Sequence, residues 1–234
     1  MNEAPAPPDS PPRAGLLRDV PLLWFSPAAL FGSIRERPRV RGALIVLVVV
    51  VVAATLLTLD VLVGTMMERG AESMRERGGD PSSLGFFGHP AMKAGIVVSG
   101  AVMLLLVLLV HSGGVYLALS LSGGVEEKKP FPWIFRAAVW AKLVEIPHLV
   151  LWVPLVLAKG GPDVFFGPAA LASEEGAGPW FPLLSALDLF TLWFLALFAI
   201  GVSVLLRVRG LRAAATVFAP WVVWQLAKMG LHLL

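Results

Sequence analysis

The chain has no cysteine and only one tyrosine, Tyr116, among 234 residues. Without cysteine there are no disulfides, no thiolate metal sites and no cysteine nucleophile. Charge is also scarce: 15% of residues are Asp, Glu, Lys or Arg, against about 25% in an ordinary soluble domain. The common reaction signatures are missing too. No serine sits in a Gly-x-Ser-x-Gly turn, and neither a phosphate-binding loop nor a His-Glu-x-x-His pair occurs, which removes the usual hydrolase, nucleotide and zinc-protease readings. Met1 to Pro12 holds Pro5, Pro7, Pro8, Pro11 and Pro12 with no apolar core. No cleavable signal peptide is therefore expected there, and residues 1–21 read as a disordered cytoplasmic tail.

What the chain has instead is apolar length. Hydrophobic residues make up 57%, mean hydropathy is +0.78, and the excess falls in blocks of about 20 residues, the length that crosses a bilayer. The reading is an all-α integral membrane protein. Five transmembrane helices are expected at about 42–63, 94–121, 133–157, 182–207 and 213–234, so that residues 42–234 form one five-span domain. The first span is expected to remain as a signal anchor. Pro147 and Pro154 should kink the third. Gly95, Gly100, Gly113 and Gly114 give the second a small-residue face suited to close helix contact, within the chain or in a homo-oligomer.

Residues 22–41 precede the first span. Ser26 can cap a helix, Pro27 suits its first position and Pro38 stops it. Leu23, Pro27, Leu30, Phe31 and Ile34 recur at three- and four-residue spacing, and Arg35, Arg37, Arg39 and Arg41 follow. This predicts an amphipathic helix lying in the headgroup layer, with Trp24 toward the acyl chains and the arginines toward lipid phosphate or a protein partner.

Lysine and arginine set the orientation. Twelve fall before span one, between spans two and three, and between four and five: Arg13, Arg18, Arg35, Arg37, Arg39, Arg41, Lys128, Lys129, Arg136, Arg207, Arg209 and Arg212. Six fall on the other side: Arg69, Arg75, Arg77, Lys93, Lys159 and Lys228. The excess predicts a cytoplasmic N-terminus and, with five spans, an external C-terminus. A pI near 9.6 then reflects topology and anionic lipid headgroups rather than nucleic acid.

Ionisable groups inside a span are costly and need protein or water to face. Lys142, Glu145 and His148 sit three residues apart in span three, so one side of a helix carries all three. His111 in span two and Asp188 near the start of span four fall at comparable depth. Two readings stand side by side: an intrahelical Lys142–Glu145 ion pair with His148 bonded to a carbonyl, or a polar pocket exchanging protons or binding a cation. No metal and no cofactor is expected. Glu174 and Glu175 read as solvated loop charge.

The order of features resembles the Yip family of Ypt/Rab-interacting membrane proteins, in its broad form with many bacterial members. Trp24-Phe25-Ser26-Pro27 through Phe31 and Arg35 to Pro38 is similar to the family's aromatic-x-Pro helix before span one. Leu119-Ser120-Leu121-Ser122-Gly123-Gly124, then Phe131 through Ala141 and Pro147, resembles its glycine turn and third-span proline. Leu187-Asp188-Leu189-Phe190-x-x-Trp193, Leu197 and Gly201 resemble its fourth-span run. The Asp-Leu-Tyr-Gly-Pro motif of eukaryotic members has no counterpart here. The resemblance implies five spans with the N-terminus in the cytoplasm. It also implies a non-enzymatic scaffold or membrane-organising, trafficking-type factor. The Ala-, Gly-, Pro-, Val- and Arg-rich composition suits the inner membrane of a GC-rich bacterium. The alternative is a small transporter or ion or proton channel that uses the intramembrane polar pocket.

Overall fold

The computed structural model describes residues 16–172 and 178–232. Residues 1–15 of the expected tail, Glu174 and Glu175, and the last two residues of the fifth expected span lie outside them. Among the described residues the chain is helical, with no strand. Its α-helices are α1 (Leu16–Phe25), α2 (Pro27–Glu36), α3 (Arg41–Glu76), α4 (Pro90–Leu121), α5 (Pro130–Ala141), α6 (Glu145–Lys159), α7 (Phe181–Ala186), α8 (Leu189–Leu206) and α9 (Gly210–His232). Four are long and apolar enough to cross a membrane: α3, α4, the α5–α6 pair and α8. The fifth expected span corresponds to α9, which is 23 residues long and carries Pro220 near its middle and Gln225 and Lys228 in its second half. It is not among the four.

Helix α3 has 36 residues, about 54 Å at 1.5 Å per residue, and a bilayer core is about 30 Å thick. It therefore runs well past the expected end of span one without breaking at Gly64 or Gly70, and stops at Gly78, whose φ is +72°. Its far end is tied to neighbouring segments by charge. Lys93 Nζ lies 2.6 Å from Asp60, and Arg69 pairs with Asp163.

The third span is broken where the sequence carries proline. Proline has no N–H and its ring collides with the carbonyl four residues back. Ahead of Pro147 the helix tightens into a 3-10 turn at Lys142–Val144 before α6 resumes. Pro154 lies inside α6. Of the second-span glycines, two are used within the chain. A Cβ on Gly100 would stand 3.2 Å from Thr55 Oγ1 in α3, and one on Gly114 would stand 3.3 Å from Pro220 in α9.

The largest departure from expectation is at the N-terminus. Helix α1 begins at Leu16, inside the stretch assigned to a tail, and α1 and α2 form a helical hairpin about Ser26. Asp19 and Ser33, each seven residues from Ser26, both hydrogen-bond the same Arg39 guanidinium. The hairpin does not lie flat. Trp24 packs edge-on against Trp193 with ring centroids 4.3 Å apart, and Arg35 donates to the Leu205 carbonyl. The hairpin therefore follows α8 from 193 to 205, about 18 Å of helix. Leu23, Leu30, Phe31 and Ile34, the predicted lipid-facing stripe, are fully buried in the core. Gly201 makes the approach feasible, since a Cβ there would lie 2.9 Å from both the Phe31 ring and the Ala137 Cβ. The apolar stripe has found protein rather than lipid.

Candidate functional site

Helix α8 packs against α5, α9 and α2, and α4 packs against α5 and α9. Where these elements meet beside the broken third span they leave a polar cavity of about 250 Å³. His111, Lys142, Glu145, His148 and Asp188 all line it, as do Thr191, Gln225 and the aromatic rings of Phe190, Phe194, Trp221 and Trp224. The five ionisable residues singled out in the sequence come from three separate segments, α4, the broken third span and the start of α8, and share this one space.

Local structure explains the innermost contacts. In a 3-10 turn, residues i and i+3 eclipse each other. Lys142 opens that turn and Glu145 follows it, and Lys142 Nζ stands 2.6 Å from Glu145 Oε2. His148 Nδ1 is 3.1 Å from Glu145 Oε1, so both carboxylate oxygens are engaged. All three side chains are about one-fifth exposed. The Lys142 ammonium also lies 5.3 Å from the centroid of Phe194, within cation–π range. The His148 ring packs between Phe166 and Phe190. Phe166 comes from the loop after α6, and its carbonyl accepts from Leu189 N–H at the start of α8. Gly167 follows it in close backbone contact with Leu187, where a Cβ would collide with the carbonyl oxygen.

Asp188 is the N-cap of α8. Its Oδ1 accepts from the N–H groups of Phe190 and Thr191 at 2.8 and 3.1 Å, the ordinary work of such a residue. His111 Nδ1 donates to the Val107 carbonyl one turn back at 2.8 Å. A neutral ring so fixed presents Nε2 as an acceptor. Gln225 was not singled out in the sequence. It is 6% exposed, and its Oε1 is the buried side-chain atom left without a hydrogen-bond partner among the described residues. An unpaired buried polar group costs about 1–3 kcal/mol. The signal that would have found it is the rule applied to Lys142 and Glu145, extended to an uncharged amide inside an apolar helix.

The four lead-in arginines divide. Arg39 is bidentate to Asp19 at 2.9 Å, its carbonyl accepts from Trp140 Nε1 at 2.9 Å, and its guanidinium lies over the Trp140 ring. Arg35 is spent on the Leu205 carbonyl and the Trp133 face. Arg37 and Arg41 are exposed. Trp24 is half-buried against Trp193 rather than free for lipid. Arg212 Nη2 donates to the carbonyls of Ser122 and Gly124 at 2.8 and 2.6 Å, joining the α4–α5 turn to the α8–α9 turn. The base of the hairpin joins them through Arg35 and Leu205. Three basic segments therefore gather at one end of the bundle, with Arg37, Arg41, Lys128, Lys129, Arg207 and Arg209 exposed.

A helical bundle with four membrane-length apolar helices among its described residues and charged groups gathered inside it is a multi-pass membrane protein. The Yip1 domain profile matches residues 22–229, nearly the whole chain, and the protein belongs to the Yip1 domain family. Comparison with curated proteins and with solved structures gives no significant match.

Proposed function

We propose that this Yip1-family protein is a non-enzymatic scaffold or membrane-organising factor. In this reading it has five spans, with α9 as the fifth, and sits in the plasma membrane of a bacterium with its N-terminus in the cytoplasm. The supporting observation is the gathering of the hairpin base, the α4–α5 turn and the α8–α9 turn into one basic end. Each exposed cation near an anionic leaflet contributes about 1 kcal/mol of attraction. The experiment changes Arg37, Arg41, Arg207 and Arg209 together to Ala, leaving the inward-bonded Arg35, Arg39 and Arg212 in place. The thermal stabilisation that anionic-lipid nanodiscs give over zwitterionic ones should fall by more than half. Unchanged stabilisation overturns the lipid-facing scaffold.

The second reading is a small transporter or an ion or proton channel. It is favoured by the convergence of His111, Lys142, Glu145, His148 and Asp188 on one cavity. Wild-type protein in liposomes should then pass protons or cations, and Glu145→Gln should abolish the flux. Absence of flux in the wild type ends this reading.

A further inference from the structure

The polar cavity does not stand alone. An apolar groove of about 610 Å³ opens beside it between α4 and α9, lined by Met103, Val110, Gly114, Val217 and Pro220 among others. His111, Trp221 and Trp224 line both spaces. Val110, Met103 and Trp224 are exposed on the outside of the bundle, so on a chain that spans a bilayer the groove faces the acyl chains. A small polar chamber joined through shared walls to a long apolar trough is the complement of an amphiphile.

The chemistry of the chamber narrows the head. Lys142 and Glu145 neutralise each other at 2.6 Å, which leaves the Asp188 carboxylate as the surplus charge, and it is negative. The unused capacity is mostly of one kind. Among the described residues Gln225 Oε1 is a buried acceptor with no donor, Asp188 uses only Oδ1 in its cap, and His111, whose Nδ1 is taken by the Val107 carbonyl, turns Nε2 to the cavity. Acceptors, one carboxylate and a wall of Trp221, Trp224, Phe190 and Phe194 rings suit a cation that carries N–H donors. Among the described residues no three carboxylate or imidazole groups are placed to hold a metal ion. The remaining ammonium protons of Lys142 are available to an anionic oxygen. At ~30 Å³ per water, the 250 Å³ chamber holds roughly eight waters, enough for a compact head.

We propose that the cavity and groove together bind one phospholipid with a primary-ammonium head of the ethanolamine type, its ammonium on Gln225 and Asp188, its phosphate toward Lys142, and an acyl chain between α4 and α9. The inference does not depend on the basic end described above, and it differs from the transport reading in making the occupant a resident lipid.

The test is native mass spectrometry of the detergent-solubilised full chain, titrated with ethanolamine and choline phospholipids of identical acyl chains. Choline carries no N–H, so it cannot donate to Gln225 Oε1. The ethanolamine lipid should be retained about tenfold better, the worth of one charge-assisted hydrogen bond. Gln225→Met, which keeps the volume and removes one of the two acceptors, should shrink that preference to the part that Asp188 carries. Val110→Trp, on the exposed wall of the groove, should weaken both lipids equally while leaving the preference intact. Equal retention of the two lipids by the wild type overturns the proposal. So does an undiminished preference in a folded Gln225→Met. If that variant does not fold, Asp188→Asn, which keeps the cap oxygen and removes the charge, must reduce the preference for the proposal to stand.

Discussion

Two charged clusters sit within this bundle, and they are held by contacts of opposite reach along the chain. In the hairpin clamp, Arg39 meets Asp19 across 20 residues and Trp140 across 101. In the cavity, Lys142, Glu145 and His148 meet at i,i+3 within seven residues of one broken helix. The clamp closes a tertiary junction between α1, α2 and α5, and little of Asp19 reaches solvent. The cavity cluster is local, more accessible, and surrounded by acceptors still unspent. The same chemistry of a carboxylate against a cation thus serves assembly in one place and leaves room for an occupant in the other. Variants of each should separate global stability from cavity behaviour.

The largest effect is expected at the hairpin. Phe31 is fully buried and its ring occupies the space that Gly201 leaves open beside Ala137. Phe31→Ala should destabilise the protein by about 3–5 kcal/mol, the usual result of emptying a packed aromatic site. Thermal unfolding followed by tryptophan fluorescence measures this, and limited proteolysis should show new cleavage between α2 and α3. Unchanged stability would mean that the hairpin is not docked on α8 in the membrane. Gly201→Ala tests the same contact from the other side and should cost about 1–3 kcal/mol by overpacking.

Asp19→Ala comes next. It strands a guanidinium that is only 23% exposed, with Ser33 Oγ and the Trp140 ring as its remaining partners. Loss of a charged hydrogen-bond partner costs about 1.5–3 kcal/mol, and the same unfolding measurement reads it. Retention of the ethanolamine-type lipid should be unaffected, because no clamp residue lines the cavity.

Why one cluster was readable in the sequence and the other was not follows from their reach. The spacing of Lys142, Glu145 and His148 needs only a helix to bring them together. His111 and Asp188 followed from counting depth along apolar runs, a one-dimensional argument that survives folding. The apolar runs expected as spans at 94–121 and 182–207 fall on α4 (Pro90–Leu121) and on α7 with α8, and the break between Ala186 and Leu189 was not legible. The hairpin was not. An apolar stripe with arginines after it looks the same whether it meets lipid or protein, and only the gap at Gly201, 170 residues beyond Phe31, decides between them. Gln225 escaped notice because it carries no charge, and Phe166 because a loop aromatic says nothing about the histidine it will cover. A short amphipathic helix after Gly64, ended at Gly78, was legible, but its continuity with span one was not, because glycines ordinarily interrupt a helix; Gly64 and Gly70 are ordinary helical positions within α3.

The smallest stability effect, and the sharpest contrast with Asp19, is expected from the cavity pair. Glu145→Gln keeps one acceptor oxygen for Lys142 and turns an NH2 toward His148, whose Nδ1 accepts in its other tautomer; with each side chain about one-fifth exposed, it should cost less than Asp19→Ala. Replacing both partners of a buried ion pair by apolar groups is often neutral or stabilising, whereas removing one leaves an uncompensated charge. Lys142→Met combined with Glu145→Met should therefore be at least as stable as Glu145→Gln alone, in a double-mutant cycle read by thermal unfolding. The double variant removes both the ammonium proposed to face a phosphate and the carboxylate proposed to carry flux. If it folds with wild-type stability yet loses lipid retention or ion flux, the pair exists for the occupant of the cavity. If retention and flux are both unaltered, the pair is a local cap on a proline-broken helix, and the two clusters differ only in reach.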